Sequence, residues 1–277
     1  MEKANLDQIA YARAKEYLLS FARFGITNKL LDEYLNPTIE SLRPSSIRGI
    51  YQRILESAQN RGMSSGVIMG PLGGNINALR KVLCNFEAAL IASKYGNNSS
   101  KVIEDIEREL HLKGKIQRTQ RSIWPLFCRS ITSGALFLSQ FDSADDFYRW
   151  VNIFDRDDRI RPALPMLLSH EIEGFGFPLA CDFLKEIGYF NFCKPDVHIK
   201  AIFKGIRLVS EVADDYQVFK AITRVSKSQG VTPYNVDKLF WLVGSGKFYN
   251  HTHIGSFGKI PTDREEFIRK FSQNADK

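Results

Sequence analysis

Apolar positions along this chain recur at helical spacing, and polar capping residues break the runs. Leu6, Ile9, Ala10, Ala14, Tyr17, Leu18 and Phe21 line one face of a predicted helix over 5–24, opened by Asn5 and stopped by Gly25. Thr27 caps a short helix that ends before Asn36-Pro37. Pro44-Ser45-Ser46 opens another through Ile47, Ile50, Tyr51 and Ile54. Asn75 begins a long predicted helix with Ile76, Leu79, Val82, Leu83, Phe86, Leu90 and Ile91 on its apolar face and Gly96 as its stop. Ser143-Ala144-Asp145-Asp146 has the form of a capping box and introduces Phe147, Trp150 and Val151. Thr232-Pro233 supplies an N-cap followed by Pro at the first helical position. Val236, Leu239, Phe240 and Val243 follow it on one face, with Gly244 as the stop. No stretch alternates with period two long enough to make a sheet, and Val67-Ile68-Met69 is too short to carry one. The fold class predicted is all-α.

Composition narrows the class. With 277 residues, 44% apolar and 25% charged, the chain reads as an ordinary globular protein whose core needs no staples. Cys84, Cys128, Cys181 and Cys193 contain no Cys-x-x-Cys pair and suit a reducing, cytoplasmic setting. Charges in the first twenty residues exclude a signal-peptide core, and no apolar run approaches the ~18 residues of a membrane span. The net charge of +7 favours a nucleic-acid partner without establishing one. It is unevenly spread. His111 to Ser130 holds Lys113, Lys115, Arg118, Arg121 and Arg129 with no acid, while Asp142 to Asp158 holds six Asp against two Arg. The basic stretch can track phosphates, although a solvated face is the commoner use of such a run.

Candidate chemistry concentrates between Leu164 and Leu208. A helical pattern (Leu164, Leu167, Leu168, Ile172) ends at Glu173, then comes Gly174-Phe175-Gly176. A second pattern follows through Phe177, Ala180, Cys181, Leu184 and Ile187 to Gly188. The two glycines permit positive φ and close backbone approach, and Phe175 can plug between the helices. Pro178 is tolerated in a first turn, whose free amides at the positive end of the helix dipole suit a phosphate.

Ile172-Glu173-Gly174-Phe175-Gly176-Phe177-Pro178-Leu179-Ala180 resembles a DNA-binding helix-hairpin-helix, and Lys194-Pro195-Asp196-Val197-His198 resembles the Val-Asp-x-His segment of the helix-hairpin-helix DNA glycosylase superfamily. That superfamily includes endonuclease III and the 8-oxoguanine glycosylases. The resemblance covers about 45 residues. It implies a single two-lobed helical unit over 1–277, with 164–208 as hairpin plus catalytic segment. It also implies double-stranded DNA as partner, a flipped base, and Asp196 as the catalytic carboxylate. Gly174, Phe175, Gly176 and Phe177 become the phosphate-binding hairpin, and a monovalent cation at the hairpin is a candidate ligand. Bifunctional members carry a Schiff-base Lys where this chain has Pro178, which has no amine. The expected chemistry is therefore monofunctional hydrolysis of the N-glycosidic bond of a damaged or modified base, by a monomer in the cytoplasm, at the nucleoid in a prokaryote. The Cys-rich iron–sulfur loop of some members is absent, so neither a cluster nor another metal is expected. The rival expectation is a non-enzymatic helix-hairpin-helix DNA-binding protein, and a third is a basic helical protein with no nucleic-acid role.

Chain geometry agrees with the spacing. A helix from Phe177 to Gly188 rises ~18 Å, and Tyr189 to Lys194, if extended, return ~20 Å. Asp196 can thus come back toward the hairpin and open the helix through Ile199, Ile202, Phe203 and Ile206. Asp196 is equally suited to a plain N-cap. His198, Lys185 and Lys194 are supporting candidates. His251-Thr252-His253 suits a polar loop better than a metal site, and Gly70-Pro71-Leu72-Gly73-Gly74-Asn75 suits a turn. Phe240 and Trp241 are expected in the core, Lys238 and Lys247 on the surface. Tyr249 is a candidate for stacking on a base.

Overall fold

A computed structural model of the chain describes residues 3–61, 65–110, 112 and 116–273. The helices in chain order are α1 (Lys3–Leu19), α2 (Asn28–Leu35), α3 (Ile39–Leu42), α4 (Ile47–Ala58), α5 (Ser65–Met69), α6 (Ala88–Tyr95), α7 (Ser99–Leu110) and α8 (Ile123–Leu138). They continue with α9 (Ala144–Asp155), α10 (Ala163–Glu171), α11 (Phe177–Glu186), α12 (Val197–Gly205), α13 (Asp215–Gln229), α14 (Pro233–Ser245) and α15 (Arg264–Gln273). Among the described residues there is no strand, only isolated bridges of Lys259 with Lys247 and Gly255. The protein is all-α.

The chain divides into two compact units, Met1–Ser41 with Gly188–Lys277, and Leu42–Ile187. In the first, α1 turns Ala10, Ala14, Tyr17 and Leu18 inward and packs on α13 and α14. The Tyr17 hydroxyl donates to the Asp263 carbonyl at 3.0 Å and accepts the Asp263 amide at 3.1 Å, while Arg224 pairs with the buried Asp7. In the second unit α8 is central. Its buried Phe127, Cys128, Ile131, Ala135 and Leu138 meet α4, α6 and α7. The fully buried Tyr51 of α4 donates to the Ile131 carbonyl at 2.8 Å. Each Ile, Leu or Phe so buried contributes about 1.5–3 kcal/mol.

The local caps form as their residue types require. Thr27, Ser46, Ser143 and Thr232 each accept the amide three residues on, at 3.1–3.2 Å. Thr232 and Asn235 make a reciprocal box. At Ser143 the acid of the predicted box, Asp146, reaches the Asp142 amide instead.

Three helix boundaries depart from the pattern. The first helix stops at Leu19, and a separate 3-10 turn over Ala22–Phe24 leads to Gly25. Gly246, at φ +64, stops α14 rather than Gly244. The long helix expected from Asn75 to Gly96 does not exist. Two short 3-10 turns, Ile76–Leu79 and Cys84–Phe86, precede α6. Cys84, Asn85 and Phe86 all sit at positive φ (46°, 58° and 64°), which a right-handed α-helix does not accommodate. Burial survives this break at Ile76, Leu79, Val82, Leu83, Phe86 and Ile91, whereas Leu90 is exposed. Gly73 and Gly74 make the turn ahead of them, at φ +66 and +79.

Candidate functional site

Asp196 belongs to the first unit. Pro195 keeps Lys194 out of helical backbone, and the chain enters α12 through Asp196 at φ −81, ψ 178. One carboxylate oxygen accepts the Ile199 amide at 2.9 Å, the bond of a helix N-cap. The other has no hydrogen-bond partner among the described residues. Beneath it Asp237 of α14, buried, accepts the Lys194 amide at 2.6 Å and so ties this segment to α14. The segment before Asp196 is not fully extended, since Phe192 donates to the Tyr189 carbonyl at 3.0 Å.

The electrostatics differ from those of an ordinary cap. Burial is the largest influence and raises the Asp196 pKa; the Asp237 charge adds to it. The Ile199 amide, His198 and Lys194 oppose both without prevailing. A carboxylate at a helix N-terminus is expected to be favoured in its charged form, but here desolvation and a second acid outweigh the dipole. His198 shifts the other way. Burial lowers its pKa most; Asp196 raises it, and Arg264 and Lys247 lower it further. Its Nδ1 is buried and has no hydrogen-bond partner among the described residues. The ring lies against the backbone of α14, where a Cβ on Gly244 would come within 2.5 Å of the His198 Cβ. Gly244, expected as a helix stop, is instead the space that admits His198.

This cluster can do carboxylate chemistry. A raised pKa makes Asp196 a better proton acceptor toward water, and its uncommitted oxygen can face a carbon that becomes cationic.

The same unit holds a lysine that lies inside rather than on the surface. Lys238, expected on the surface, is 7% exposed. Its Nζ meets the Tyr249 hydroxyl at 3.1 Å and lies 5.2–5.6 Å from the ring centres of Tyr249, Trp241 and Tyr234. The signal was present: aromatics at −4, +3 and +11 from one lysine can enclose its ammonium by cation–π attraction. Phe240 is in the core, Trp241 is half-buried, and Tyr249 is exposed. Both ring nitrogens of His251 are engaged, Nδ1 with the Tyr34 hydroxyl at 3.2 Å and Nε2 with Glu33 at 3.3 Å.

The hairpin lies in the second unit. Phe175 is buried and meets Phe183 edge-on at 6.2 Å. Ser130 donates to the Glu173 carbonyl at 2.7 Å and Ser133 accepts the Glu173 amide at 2.9 Å, so the turn is bolted to α8. Gly174 is at φ +78, and a Cβ there would lie 2.8 Å from the Leu126 carbonyl oxygen. Gly176 departs from expectation. Its φ of −69 and ψ of 165 are open to any residue, and a Cβ there would touch only Pro178, at 3.8 Å. Fewer first-turn amides are free than expected, because Leu179 donates back to the Gly176 carbonyl at 2.9 Å and Pro178 has no N–H. The amides of Gly174 and Gly176 have no acceptor among the described residues. Lys185 is buried and paired with Asp182 at 3.4 Å.

In the basic stretch, His111, Lys113 and Lys115 lie outside the described residues. Arg118 pairs with Glu107. Arg129 binds the Gln120 carbonyl at 2.7 Å and reaches Glu173 at 3.4 Å. Comparison of the chain with protein-family models, curated proteins and solved structures finds no match.

Proposed function

We propose that the protein excises a base from DNA by hydrolysis of the N-glycosidic bond, with Asp196 as the carboxylate that faces the sugar. The observation that carries the reading is the state of Asp196: capped through one oxygen, uncommitted at the other, and raised in pKa by burial and Asp237. A carboxylate that only caps a helix has no need of a buried acid beside it, and such perturbed groups concentrate at functional sites. As the base departs, the sugar carbon gains positive charge, which an adjacent carboxylate stabilises while drawing a proton from the attacking water. The hairpin contributes phosphate binding through the Gly174 and Gly176 amides, which fix register without reading sequence. Pro178 supplies no amine, so the bond is broken by water rather than through an imine.

The test is incubation of the full chain with duplexes bearing a panel of damaged or modified bases, followed by alkali cleavage of abasic product. Excision of at least one base by the parent, without a borohydride-trapped covalent adduct, is the expected result. A parent that binds duplex but excises nothing from the panel points to the non-enzymatic binding protein. A parent that binds no DNA in low salt ends both readings.

A further inference from the structure

The segment following α14 presents one side chain against the usual logic of burial. Phe257 is 92% exposed, and its backbone stands at φ +51. A bulky residue gains nothing from such a backbone, which costs roughly 1–3 kcal/mol, and persists there only where its surroundings over-determine it. They do. Gly258 donates to the Ile254 carbonyl at 2.9 Å, Ser256 and Lys259 exchange bonds at 2.8 and 3.1 Å, and Ile260 donates to the Gly246 carbonyl at 2.9 Å. Phe248, Ile254 and Ile260 are buried beneath the tip. The turn is therefore anchored at its base and holds an aromatic ring out into solvent.

Charge narrows what the ring meets. From Gly246 to Thr262 the chain carries Lys247, Lys259, His251 and His253 and no acid. Both lysines are exposed. Position narrows it further. The loop leaves α14 after Ser245, next to Gly244, which abuts His198, and its base is closed where Lys259 bridges Lys247 and Ile260 bonds the Gly246 carbonyl. The Lys247 charge is felt at His198 beside Asp196. A fixed aromatic tip flanked by cations fits a polyanion with flat apolar faces, which is a nucleic acid whose bases have been unstacked. A broad apolar patch, as a protein partner would bury, is not what a single ring on a charged loop offers.

We infer that Phe257 is a stacking wedge that enters a base step next to the nucleotide held at Asp196. The inference rests on the proposed action on DNA and deepens it. The wedge fills the gap left by an extruded base and offsets part of the unstacking cost.

The experiment uses the full chain and a duplex with 2-aminopurine beside an abasic-site analogue. Parent, Phe257→Ala and Phe257→Trp are compared in binding, 2-aminopurine emission and thermal melting. Because the ring is exposed, Phe257→Ala melts with the parent. It binds this duplex on the order of tenfold more weakly and loses the emission change, while the slope of affinity against salt is unchanged because no cation is removed. Phe257→Trp retains binding and emission change. If Phe257→Ala matches the parent in affinity and emission while excision persists, the wedge is refuted and the excision reading stands. If the parent binds no duplex, both fall. Phe257-dependent association with anionic vesicles, with no 2-aminopurine response, would assign the tip to a membrane surface and overturn the wedge.

Discussion

Asp105, in the unit of residues 42–187, accepts bonds from the Tyr95 hydroxyl at 2.8 Å and Arg108 at 2.5 Å, with the Lys94 ammonium at 2.9 Å. Asp196, in the other unit, has one amide bond and a buried acid for a neighbour. Burial works against ionisation in both. At Asp105 three donors outweigh it and bring the pKa down to about 2. At Asp196 they do not, and the pKa rises. The same residue type is a structural anchor in one place and a chemically strained group in the other, and the count of partners decides which. The consequences for pH run in opposite directions. Asp105 contributes stability above the ordinary carboxylate pKa, and that contribution is lost as pH falls through about 2. Asp196 favours the fold most when protonated, and that contribution is lost as pH rises through its raised pKa.

The largest effect expected is on Asp196→Asn. The amide keeps the cap bond to Ile199, so the protein folds and melts at or above the parent at neutral pH. Single-turnover excision falls by roughly two to four powers of ten, about 3–5 kcal/mol of transition-state stabilisation. Undiminished excision would remove Asp196 from the chemistry and collapse the contrast with Asp105. The hairpin glycines come next. Gly174→Val combines positive φ with a clash at the Leu126 carbonyl and costs about 3 kcal/mol or more in urea unfolding. Gly176→Ala stays within about 1 kcal/mol of the parent, which makes it the cleaner probe of DNA affinity. Asp105→Asn lowers stability by about 2 kcal/mol at neutral pH, because Lys94 and Arg108 lose their shared partner. The deficit shrinks as the pH approaches about 2, and excision per folded molecule is unchanged. The smallest effect sharpens the comparison most. Asp237→Asn keeps an acceptor for the Lys194 amide but removes the neighbouring charge. The acid limb of the excision rate against pH should then move to lower pH, since Asp237 raises the Asp196 pKa. An unmoved limb would mean that the two acids do not communicate.

What the sequence disclosed was local. A cap is decided within four residues, which is why Thr27, Ser46, Ser143, Thr232 and Asp196 could all be named in advance. The 76–96 segment misled because apolar spacing reports burial and not backbone. Its buried residues were found, while the left-handed backbone at Cys84 to Phe86 left no mark in the pattern. The Asp196 position was legible, but its raised pKa comes first from burial in the packed fold and then from Asp237, 41 residues away on another helix, and no spacing rule supplies either. Asp105 has no local signature in the sequence, since only the packed fold brings Lys94 and Tyr95 of α6 to an acid of α7.

The division of the chain carries a consequence for synthesis. One unit is continuous in sequence, whereas the other joins the segment before residue 42 to the segment after 187. Helix α1 packs on α13 and α14, and Tyr17 bonds Asp263, 246 positions later. On a ribosome adding about 5–20 residues per second, α1 waits roughly 10–40 s for those partners. Its apolar stripe is bare for that interval, while the intervening unit can already close on itself. A stalled or truncated chain would thus carry a finished unit and an orphaned helix with Ala10, Ala14, Tyr17 and Leu18 uncovered, the kind of exposed surface that chaperones and proteases recognise.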